Sequence, residues 1–422
     1  MMNDGSNAEV ASLTRAACEA MDAADPIAAL RDAFLVPERT IYLDGNSLGA
    51  MPKVALERAM KVTGREWGSD LISSWNTAGW FDMPTRLGDK VGRLTGADDG
   101  EVVVCDSTGV NLFKLVWAAA TLRPERSTII LEGSNFPTNN YIAQGIAASS
   151  GGRVVVRFVE ADDIMAAIDI DTVAVCMTHV HYKYGHVHDM AAITAKAHAM
   201  GALAIWDLCH SAGAMPITLN ACGVDFAVGC TYKYLNGGPG APAFLFAARR
   251  HHAMVQQPVA GWWGHAEPFA FERDYRAHDG IKQFLVGTPP VLSMAVAEVG
   301  LDIQLAADAQ QLRVKSMALT DLFIRLVEAR CGRHGLALAS PRNAAERGSQ
   351  VSFAHPQGYP IMRALIDAGV IGDFRAPDIM RFGFAALYVR FIDVWDAVDR
   401  LDDILETGRW QRPEFLSRDA VT

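Results

Sequence analysis

The sequence has no continuous apolar stretch of the roughly 18 residues that a membrane-spanning helix needs. Its first residues also lack the basic start and apolar core of a secretory signal peptide. The seven cysteines are scattered, form no Cys-x-x-Cys pair, and in several cases lie within apolar runs, so we expect reduced core thiols rather than disulfides or a zinc site. These absences predict a cytoplasmic protein with no membrane partner.

Clustered positive charge is also missing. The chain carries 38 lysines and arginines against 48 aspartates and glutamates, a formal net charge of −10, and no basic cluster is interleaved with aromatic residues. We therefore expect no nucleic-acid partner. Hydrophobic residues make up 50% of the chain and charged residues 20%, which is typical of a globular enzyme. Because 422 residues exceed one ordinary core, we expect two domains.

Short β-rich apolar runs alternate with helical stretches between residues 100 and 246. The runs are Val102–Val104, Thr128–Leu131, Val154–Val156, Val173–Val175, Ala202–Trp206, Phe226–Val228 and Ala243–Phe246. Near-continuous apolar strands separated by helices indicate a mostly parallel sheet that is covered on both faces. This pattern predicts an α/β domain.

The pattern changes after residue 290. Long helical periodicity over residues 291–330 gives way to separated strands near Val351–Phe353 and Arg381–Phe384. This predicts a second, smaller α+β domain, joined by an N-terminal helix around residues 11–34. We place the large domain at 41–295 and the small domain at 1–40 plus 296–422.

Lys233 and Asp207 are the side chains that point most directly to a reaction. Asp207 follows the predicted strand Ala202–Trp206, and Lys233 lies between the strand Phe226–Val228 and a glycine-rich turn. Pyridoxal phosphate requires such a pair, a lysine that forms the Schiff base and an acid that keeps the pyridinium nitrogen protonated. Taken singly, a loop lysine is usually a solvated side chain, and a strand-terminal aspartate is often only a cap. Their joint position predicts a pyridoxal-phosphate enzyme.

Two other segments that follow predicted strands suit the same cofactor. Cys105–Asn111 opens an apolar helix whose N–H groups suit a phosphate, although an ordinary Ser/Thr cap is the alternative. In Asn135–Asn139, Phe136 could stack on the pyridine face and Thr138 could reach ring or phosphate oxygens, although a turn before a helix is the alternative. Tyr232 could hold the phosphate or relay a proton. Because ligands bind beyond the carboxyl ends of strands in open α/β sheets, we predict one shared site.

Seven longer segments between residues 41 and about 395 carry the motifs of one enzyme family. They are Tyr42–Gly49, Ser74–Trp80, Asn135–Thr138, Trp206–Gly213, Tyr232–Gly240, Gly261–His265 and Met380–Phe384. In this order they resemble the kynureninase family, whose members are fold type I, aspartate aminotransferase-like pyridoxal-phosphate enzymes. The resemblance implies the fold type I transferase fold, with a mostly parallel seven-stranded sheet and a smaller C-terminal α+β domain.

The resemblance also implies an activity. It implies a homodimer with shared active sites that hydrolyses a small-molecule amino acid, L-kynurenine or 3-hydroxy-L-kynurenine, in tryptophan catabolism. The products would be anthranilate or 3-hydroxyanthranilate and L-alanine. In the implied mechanism Lys233 is the general base and Tyr232 a proton relay, while water adds to the γ-carbonyl and the Cβ–Cγ bond breaks.

Roles for individual residues follow from the same resemblance. Lys233 would hold pyridoxal phosphate, Asp207 would face the pyridine nitrogen, and Phe136 would stack on the ring. The remaining cofactor contacts within the subunit would come from Thr108, Gly109, Thr138, Asn139, His210 and Tyr232. Trp262 and Thr288 would reach the cofactor from the partner subunit, and the substrate would contact Arg381, Ser47 and Trp80. A core position for Trp262 and a structural ion pair for Arg381 are the alternatives.

The sequence departs from the family pattern in two places. Relatives usually have aspartate where this chain has Asn139, which cannot ionise, and bacterial relatives commonly have asparagine where it has His181. These departures leave the choice of substrate open, including a modified kynurenine. The histidines at 179, 181, 186 and 188 could suggest a metal, but we predict none because no carboxylate or cysteine ligand has conventional spacing around them. We expect them to line or flank the cleft.

Other functions fit parts of the sequence. A cysteine desulfurase needs a reactive cysteine late in the chain, but only Cys331 lies beyond Lys233, and its setting predicts a helix end. An aminotransferase or β-lyase on the same scaffold is the closer enzymatic alternative. A catalytically silent relative that binds a metabolite is the alternative outside the enzymes. Asn139 favours it, whereas the intact Asp207 and Lys233 oppose it.

Overall fold

The computed structural model describes residues 14–417, which divide into two compact units. The larger unit comprises Val54–Tyr182 and His188–Leu305. The smaller unit comprises the described residues up to Lys53, then Lys183–Val187, and the described residues from Ala306 onward. The domain limits expected from the sequence, 41–295 and 1–40 plus 296–422, remain a prediction, and residues 1–13 and 418–422 lie outside the described part.

The regular elements are numbered here in chain order. The strands are β1 (Phe34–Leu35), β2 (Ile41–Tyr42), β3 (Met51–Pro52), β4 (Val102–Val104), β5 (Thr128–Glu132), β6 (Val155–Val159), β7 (Thr172–Thr178), β8 (Leu203–Asp207), β9 (Phe226–Cys230), β10 (Ala243–Ala247), β11 (Ala337–Leu338), β12 (Gln350–Ala354), β13 (Val370–Ile371), β14 (Asp373–Arg375) and β15 (Ile379–Gly383). The α-helices are α1 (Arg15–Ala23), α2 (Val54–Met60), α3 (Ser74–Thr77), α4 (Met83–Thr95), α5 (Thr108–Leu122), α6 (Pro137–Ser149), α7 (Ile164–Ala167), α8 (Met190–Ala199), α9 (Val291–Ala306), α10 (Ala309–Cys331), α11 (Gly358–Asp367), α12 (Phe391–Glu406) and α13 (Pro413–Leu416). Within residues 14–417, none of the helices has the length and apolar character needed to cross a bilayer.

A seven-stranded sheet forms the centre of the larger unit, in the order β4-β10-β9-β8-β7-β5-β6. The neighbouring strands from β6 to β9 pair in parallel, whereas β10 runs antiparallel to both β9 and β4. The prediction of an α/β fold with a mostly parallel seven-stranded sheet is confirmed. The strand expected at Val154–Val156 lies at Val155–Val159 instead, because Arg157 interrupts the apolar pattern of this partly exposed edge strand.

Alternate residues of the central strands pack on opposite faces of the sheet. Val102 and Val104 belong to one buried cluster, together with Met83 and Leu87 of α4, and Val103 belongs to the cluster on the other face. Since both faces are covered, side chains pointing either way are apolar, which explains the near-continuous apolar runs in the sequence. The covered sheet is the packed base from which the loops after each strand project.

The smaller unit contains a four-stranded antiparallel sheet in the order β11-β12-β15-β14. Phe323 of α10 packs on this sheet, and its ring centre lies 4.8 to 6.1 Å from those of Phe353, Phe382 and Phe384. Two shorter pairings, β1 with β3 and β2 with β13, complete the strands of this unit. The aromatic cluster joins the long helix to the strands that carry Arg381.

The prediction of one continuous N-terminal helix around residues 11–34 is wrong. Helix α1 ends at Ala23, and a separate 3₁₀-helix covers Ala28–Ala33. Pro26 has no N–H to donate within a helix, and Asp25 instead accepts a hydrogen bond from the Ile27 N–H at 3.0 Å. The first residues of the expected helix, 11–13, lie outside the described part.

Candidate active site

The loops at the carboxyl ends of β4, β5, β7, β8 and β9 surround a cavity of about 570 Å³ in the larger unit. This volume falls within the range of about 300–1,000 Å³ that is usual for small-molecule sites. The residues expected from the sequence that line it are Thr108, Gly109, Phe136, Thr138, Asn139, Asp207, His210, Tyr232 and Lys233. Four segments that are far apart in the sequence therefore meet in one cavity.

Lys233 lies three residues after the end of β9, in the wall of the cavity. Its Nζ is 2.9 Å from His210 Nε2 and about 6 Å from the ring centres of Phe136 and Tyr232. Within residues 14–417, no carboxylate forms an ion pair with this amine. In this part of the chain, the amine therefore has an imidazole partner at hydrogen-bond distance and no carboxylate counter-charge.

Asp207 is the last residue of β8 and is only 5% exposed. Its Oδ2 accepts a hydrogen bond from Asn139 Nδ2 and its Oδ1 accepts one from the Cys209 N–H, both at 2.8 Å. No lysine, arginine or histidine of the described chain forms an ion pair with it. Uncharged donors thus orient the carboxylate and leave its negative charge for a cationic group in the cavity.

The amino end of helix α5 forms another wall of the cavity. Ser107 caps the helix, accepting a hydrogen bond from the Val110 N–H at 3.4 Å, so the cap that sequence reasoning left as the alternative is present. Thr108 and Gly109 still line the cavity, and a Cβ added to Gly109 would lie 3.2 Å from Thr138 Cγ2. The glycine therefore leaves room for a ligand to approach the first turn, where N–H groups favour an anion.

Two aromatic rings stand at the mouth of the cavity. Phe136, at the start of α6, is 44% exposed, and its ring meets that of Tyr182 edge-on at 5.2 Å. Tyr182 also lines the cavity, and sequence reasoning gave it no role there. His181 also stacks on Tyr182, with 5.2 Å between the ring centres and 27° between the ring planes. An exposed aromatic face beside the lysine suits stacking on a flat cofactor ring.

These walls together fit pyridoxal phosphate. The lysine can bond to an aldehyde, the buried carboxylate of Asp207 can face a protonated pyridine nitrogen, and Phe136 can cover the ring. The amino end of α5 can hold the phosphate. The donor set matches the cofactor's chemistry, group by group.

A buried acid accompanies the histidines near the cavity. Glu132, the last residue of β5, is 1% exposed, and its Oε2 lies 2.8 Å from His188 Nε2. Its Oε1 accepts a hydrogen bond from Ser134 at 2.8 Å and is 3.7 Å from His181 Nε2. Burial raises the pKa of Glu132, but His188 and His181 outweigh burial and lower the pKa to about 2. Glu132 has no conventional spacing to these histidines in the sequence, and it reaches His188 from 56 residues away.

Three expected site residues lie elsewhere in the larger unit. Trp80 is 7% exposed in the core, where its indole N–H donates to Glu66 Oε2 at 2.8 Å. Trp262 is 40% exposed, and its ring lies 4.6 Å from that of Trp263. Thr288 is exposed as well. In the described single chain, none of the three lines the cavity around Lys233.

Arg381 and Ser47 come together within the smaller unit. Arg381 Nη2 donates to Ser47 Oγ at 2.9 Å, and the guanidinium also pairs with both carboxylate oxygens of Asp373. Arg375 donates to the same carboxylate at 2.7 Å. Burial raises the pKa of Asp373, but the two arginines outweigh this effect and lower it. The structural ion pair that sequence reasoning left open for Arg381 is thus present, and Asp373, its partner, was not anticipated.

The alternative of a cysteine desulfurase would require a reactive thiol late in the chain. Cys331, the only cysteine beyond Lys233, is fully buried at the end of α10. Burial, followed by the charge of Asp402, raises the pKa of its thiol to about 12. A thiol in this setting is neither accessible nor reactive.

Comparison with known proteins agrees with the geometry. A family model described as the kynureninase C-terminal domain matches residues 312–401. The kynureninase of Pseudomonas fluorescens is 53% identical over 414 residues, covering 97% of this chain and 100% of the relative. That of Burkholderia pseudomallei is 52% identical over 416 residues, with the same coverage.

Solved structures with low sequence identity share the fold. The apo cysteine desulfurase from Thermococcus onnurineus has a TM-score of 0.75 at 17% identity, covering 90% of this chain and 98% of that one. A C-DES mutant with glycine covalently linked to its PLP cofactor has a TM-score of 0.76 at 19% identity, covering 88% and 99%. At these identities the likeness shows the fold alone, and it confirms the fold type I assignment.

Sequence identity above one half over nearly the whole chain is a stronger relation than a shared fold. It confirms the resemblance seen in the motifs and, with the donor set of the cavity, identifies pyridoxal phosphate as the cofactor. The chain belongs to the kynureninase family.

Proposed function

We propose that this enzyme hydrolyses the Cβ–Cγ bond of L-kynurenine or 3-hydroxy-L-kynurenine, releasing L-alanine and anthranilate or 3-hydroxyanthranilate. The observation that carries the proposal is the pairing of Lys233 and Asp207 in one cavity. The amine has an imidazole partner instead of a carboxylate, and the carboxylate has uncharged partners instead of a cation. Family membership supplies the class of reaction.

The first task of the site is to remove a proton from the substrate Cα. Pyridoxal phosphate, when bound, stores the electrons that this step releases. Asp207 keeps a negative charge at the pyridine nitrogen, and Asn139 and the Cys209 N–H fix its orientation. Lys233 acts as the general base, and His210, 2.9 Å away, orients the amine.

The second task is hydrolysis at the γ-carbonyl. Water adds to this carbon and the Cβ–Cγ bond breaks. The hydroxyl from water stays with the released aryl acid, and the alanine fragment takes up a proton at Cβ. Burial, followed by the nearby Cys230 and Cys209, raises the pKa of Tyr232, so its phenol is protonated at neutral pH and can donate. We assign Tyr232 the role of proton relay to the γ-oxygen.

Arg381 and Ser47 are proposed to bind the substrate carboxylate. The support comes from chemistry, because a planar guanidinium matches a carboxylate and Asp373 holds this one rigidly through two of its nitrogens. Trp80 stays a predicted substrate contact that rests on the family resemblance; in the described chain its side chain is buried and its N–H donates to Glu66 Oε2.

A cytoplasmic homodimer with shared active sites is part of the same proposal, with Trp262 and Thr288 supplied by the partner subunit. Its support is the exposure of aromatic side chains around Trp262. Phe269 is 64% exposed and Phe271 77% exposed in the same segment. Contiguous exposed apolar side chains are typical of protein–protein interfaces.

Product analysis tests the proposed reaction. The purified protein, loaded with pyridoxal phosphate, should release L-alanine and the aryl acid from one or both kynurenines without any keto acid. Turnover that requires a keto-acid acceptor would identify an aminotransferase instead. A panel of ring-substituted kynurenines then tests whether His181 and Asn139 accompany a preference for a modified substrate.

Lys233→Ala tests the residue at the centre of the proposal. The variant should lose both the visible absorbance of the lysine-bound cofactor and turnover. Lys282→Ala is a suitable control, because Lys282 is a partly exposed lysine of the same unit that pairs with Asp82 at 3.6 Å. Persistence of both signals in Lys233→Ala would refute the assignment.

A further inference from the structure

Lys114 is a fully buried lysine, and the only charged residue, in the middle of helix α5. Its Nζ donates to Asp106 Oδ2 at 2.6 Å and to the carbonyl oxygen of Phe284 at 2.6 Å. A buried ammonium is costly to keep unless it is paired and hydrogen-bonded. The chain therefore retains a charged side chain at a position where an apolar residue would pack with less cost.

Asp106, the partner of Lys114, is part of the cavity wall. It directly precedes Ser107, the cap of helix α5, and its side chain is 30% exposed. Its φ of 46° lies in the left-handed region that residues other than glycine rarely adopt. The backbone is held there, because the Ala243 N–H donates to the Asp106 carbonyl oxygen at 2.9 Å.

This arrangement places a carboxylate beside the helix end that is proposed to bind the cofactor phosphate. The helix end favours an anion, but a second negative charge next to it opposes one. Lys114 Nζ supplies the compensating positive charge at 2.6 Å from the carboxylate. Lys114 itself does not line the cavity, so it can affect a ligand only through Asp106 and the turn.

We propose that Lys114 is a positioning residue for the phosphate subsite. It neutralises Asp106 and, by tying the turn to Phe284, holds the amino end of α5 in the geometry that accepts a phosphate. This inference rests on the proposed use of pyridoxal phosphate. It assigns a specific consequence to Lys114, since the effect falls on the phosphate and not on the pyridine ring.

The test compares two ligands that differ only in the phosphate. Cofactor-depleted full-length protein is titrated with pyridoxal phosphate and with pyridoxal, and absorbance reports attachment to Lys233. Lys114→Met should raise the dissociation constant of pyridoxal phosphate by at least about tenfold, because Asp106 then repels the phosphate, and should change that of pyridoxal by less than about twofold. Lys114→Met/Asp106→Asn should recover most of the lost affinity.

Lys90→Met is the matched control. Lys90 is also an ion-paired lysine of the larger unit, with Glu298 Oε1 2.9 Å from its Nζ, but it does not line the cavity or contact Asp106. Its removal should leave the affinities for both ligands within about twofold of the parent, since its ion pair with Glu298 is separate from the cavity wall.

Equal losses for the two ligands, or no loss for either, would overturn the inference and make Lys114 a purely structural residue. If the parent protein binds neither ligand, the proposed cofactor use fails first and the inference fails with it.

If Lys114→Met does not fold, the Asp106→Asn variant alone tests the inference. That variant should bind pyridoxal phosphate at least as tightly as the parent, and a phosphate-specific loss would contradict the proposal.

Discussion

Two buried aspartates of the larger unit, Asp207 and Asp225, differ in their partners. Asp207 lies at the carboxyl end of a central strand, and Asp225 lies at the amino end of the neighbouring strand. Asp207 ends β8, whereas Asp225 precedes β9. Asp225 is surrounded by donors that can carry positive charge, and it also accepts from a backbone N–H. These donors are His198 Nε2 at 2.8 Å, Arg250 Nη2 at 2.8 Å, His251 Nε2 at 2.7 Å and the Ala204 N–H at 2.8 Å.

Within residues 14–417, the Asp207 carboxylate has only the amide of Asn139 and the Cys209 N–H as hydrogen-bond partners. The difference shows how a single unit uses one residue type for two purposes. A carboxylate whose charge is balanced within the chain stabilises the fold, and a carboxylate held by neutral donors keeps its charge for a ligand. The same substitution at the two positions should therefore have different consequences.

Asp207→Asn should have the larger effect on catalysis. Its amide can still accept from the Cys209 N–H, and Asn139 can turn its amide to accept from the new NH₂ group. We expect kcat to fall by about a thousandfold, the effect of removing a preorganised electrostatic group, with a change of about 1 kcal/mol or less in the free energy of unfolding. Steady-state kinetics and urea titration of the same preparation measure both. Unchanged kcat would break the contrast.

Asp225→Asn should have the larger effect on stability. The new NH₂ group faces donors, and the positive partners lose their counter-charge, so we expect a loss of about 3–5 kcal/mol in the free energy of unfolding. The kcat of the folded fraction should stay within about twofold, because Asp225 lies at the far end of the sheet from Lys233. A stable but inactive variant would contradict the structural role.

The loss of stability in acid should also differ between the parent protein and Asp225→Asn. Burial raises its pKa, but His198, His251 and Arg250 outweigh burial and lower the pKa below the ordinary value. A lowered pKa contributes stability above the unfolded value of about 4, and this stability is lost as the pH falls through the folded value. The unfolding free energy of the parent should therefore fall more between pH 5 and pH 3 than that of Asp225→Asn, by about 1–2 kcal/mol. An equal fall in the unfolding free energy of both proteins would contradict the lowered pKa of Asp225.

Asn139→Asp should have the smallest effect and would sharpen the contrast. It places a second carboxylate at hydrogen-bond distance from Asp207, and two such groups ionise together only at a cost. The acid limb of kcat/KM should move to higher pH, with about a tenfold loss near pH 6 and less at pH 8. Asn140→Asp is the neighbouring control, because the Asn140 amide donates to the Gly133 carbonyl instead. An identical pH profile would show that Asn139 does not influence Asp207.

The sheet and most of the cavity could be predicted because their signals are local. Buried parallel strands need apolar side chains on both faces, so the strands stand out in the sequence. Their carboxyl ends meet at one edge, which brings Thr108, Phe136, Asp207 and Lys233 to one cavity without any knowledge of the packing.

Other features had no local signal. The pairing of Glu132 with His188 joins the end of β5 to the loop before α8, 56 residues away, so spacing around the histidines could not reveal it. Trp80 stands in a motif, but its burial depends on the packing around Glu66. The break of the N-terminal helix at Pro26 was visible in the sequence, and the prediction gave the proline too little weight.

The sequence by itself determined the fold type, the cofactor and the identities of the lysine and aspartate, because each depends on residue type and on position relative to a strand. Tertiary structure alone decided which charges are already balanced. Asp106 pairs with Lys114, and Asp225 with Arg250 and two histidines, whereas Asp207 is held by an amide and a backbone N–H. The physical reason is that the partner of a buried charge is set by distances in space, and these are fixed only when the elements pack.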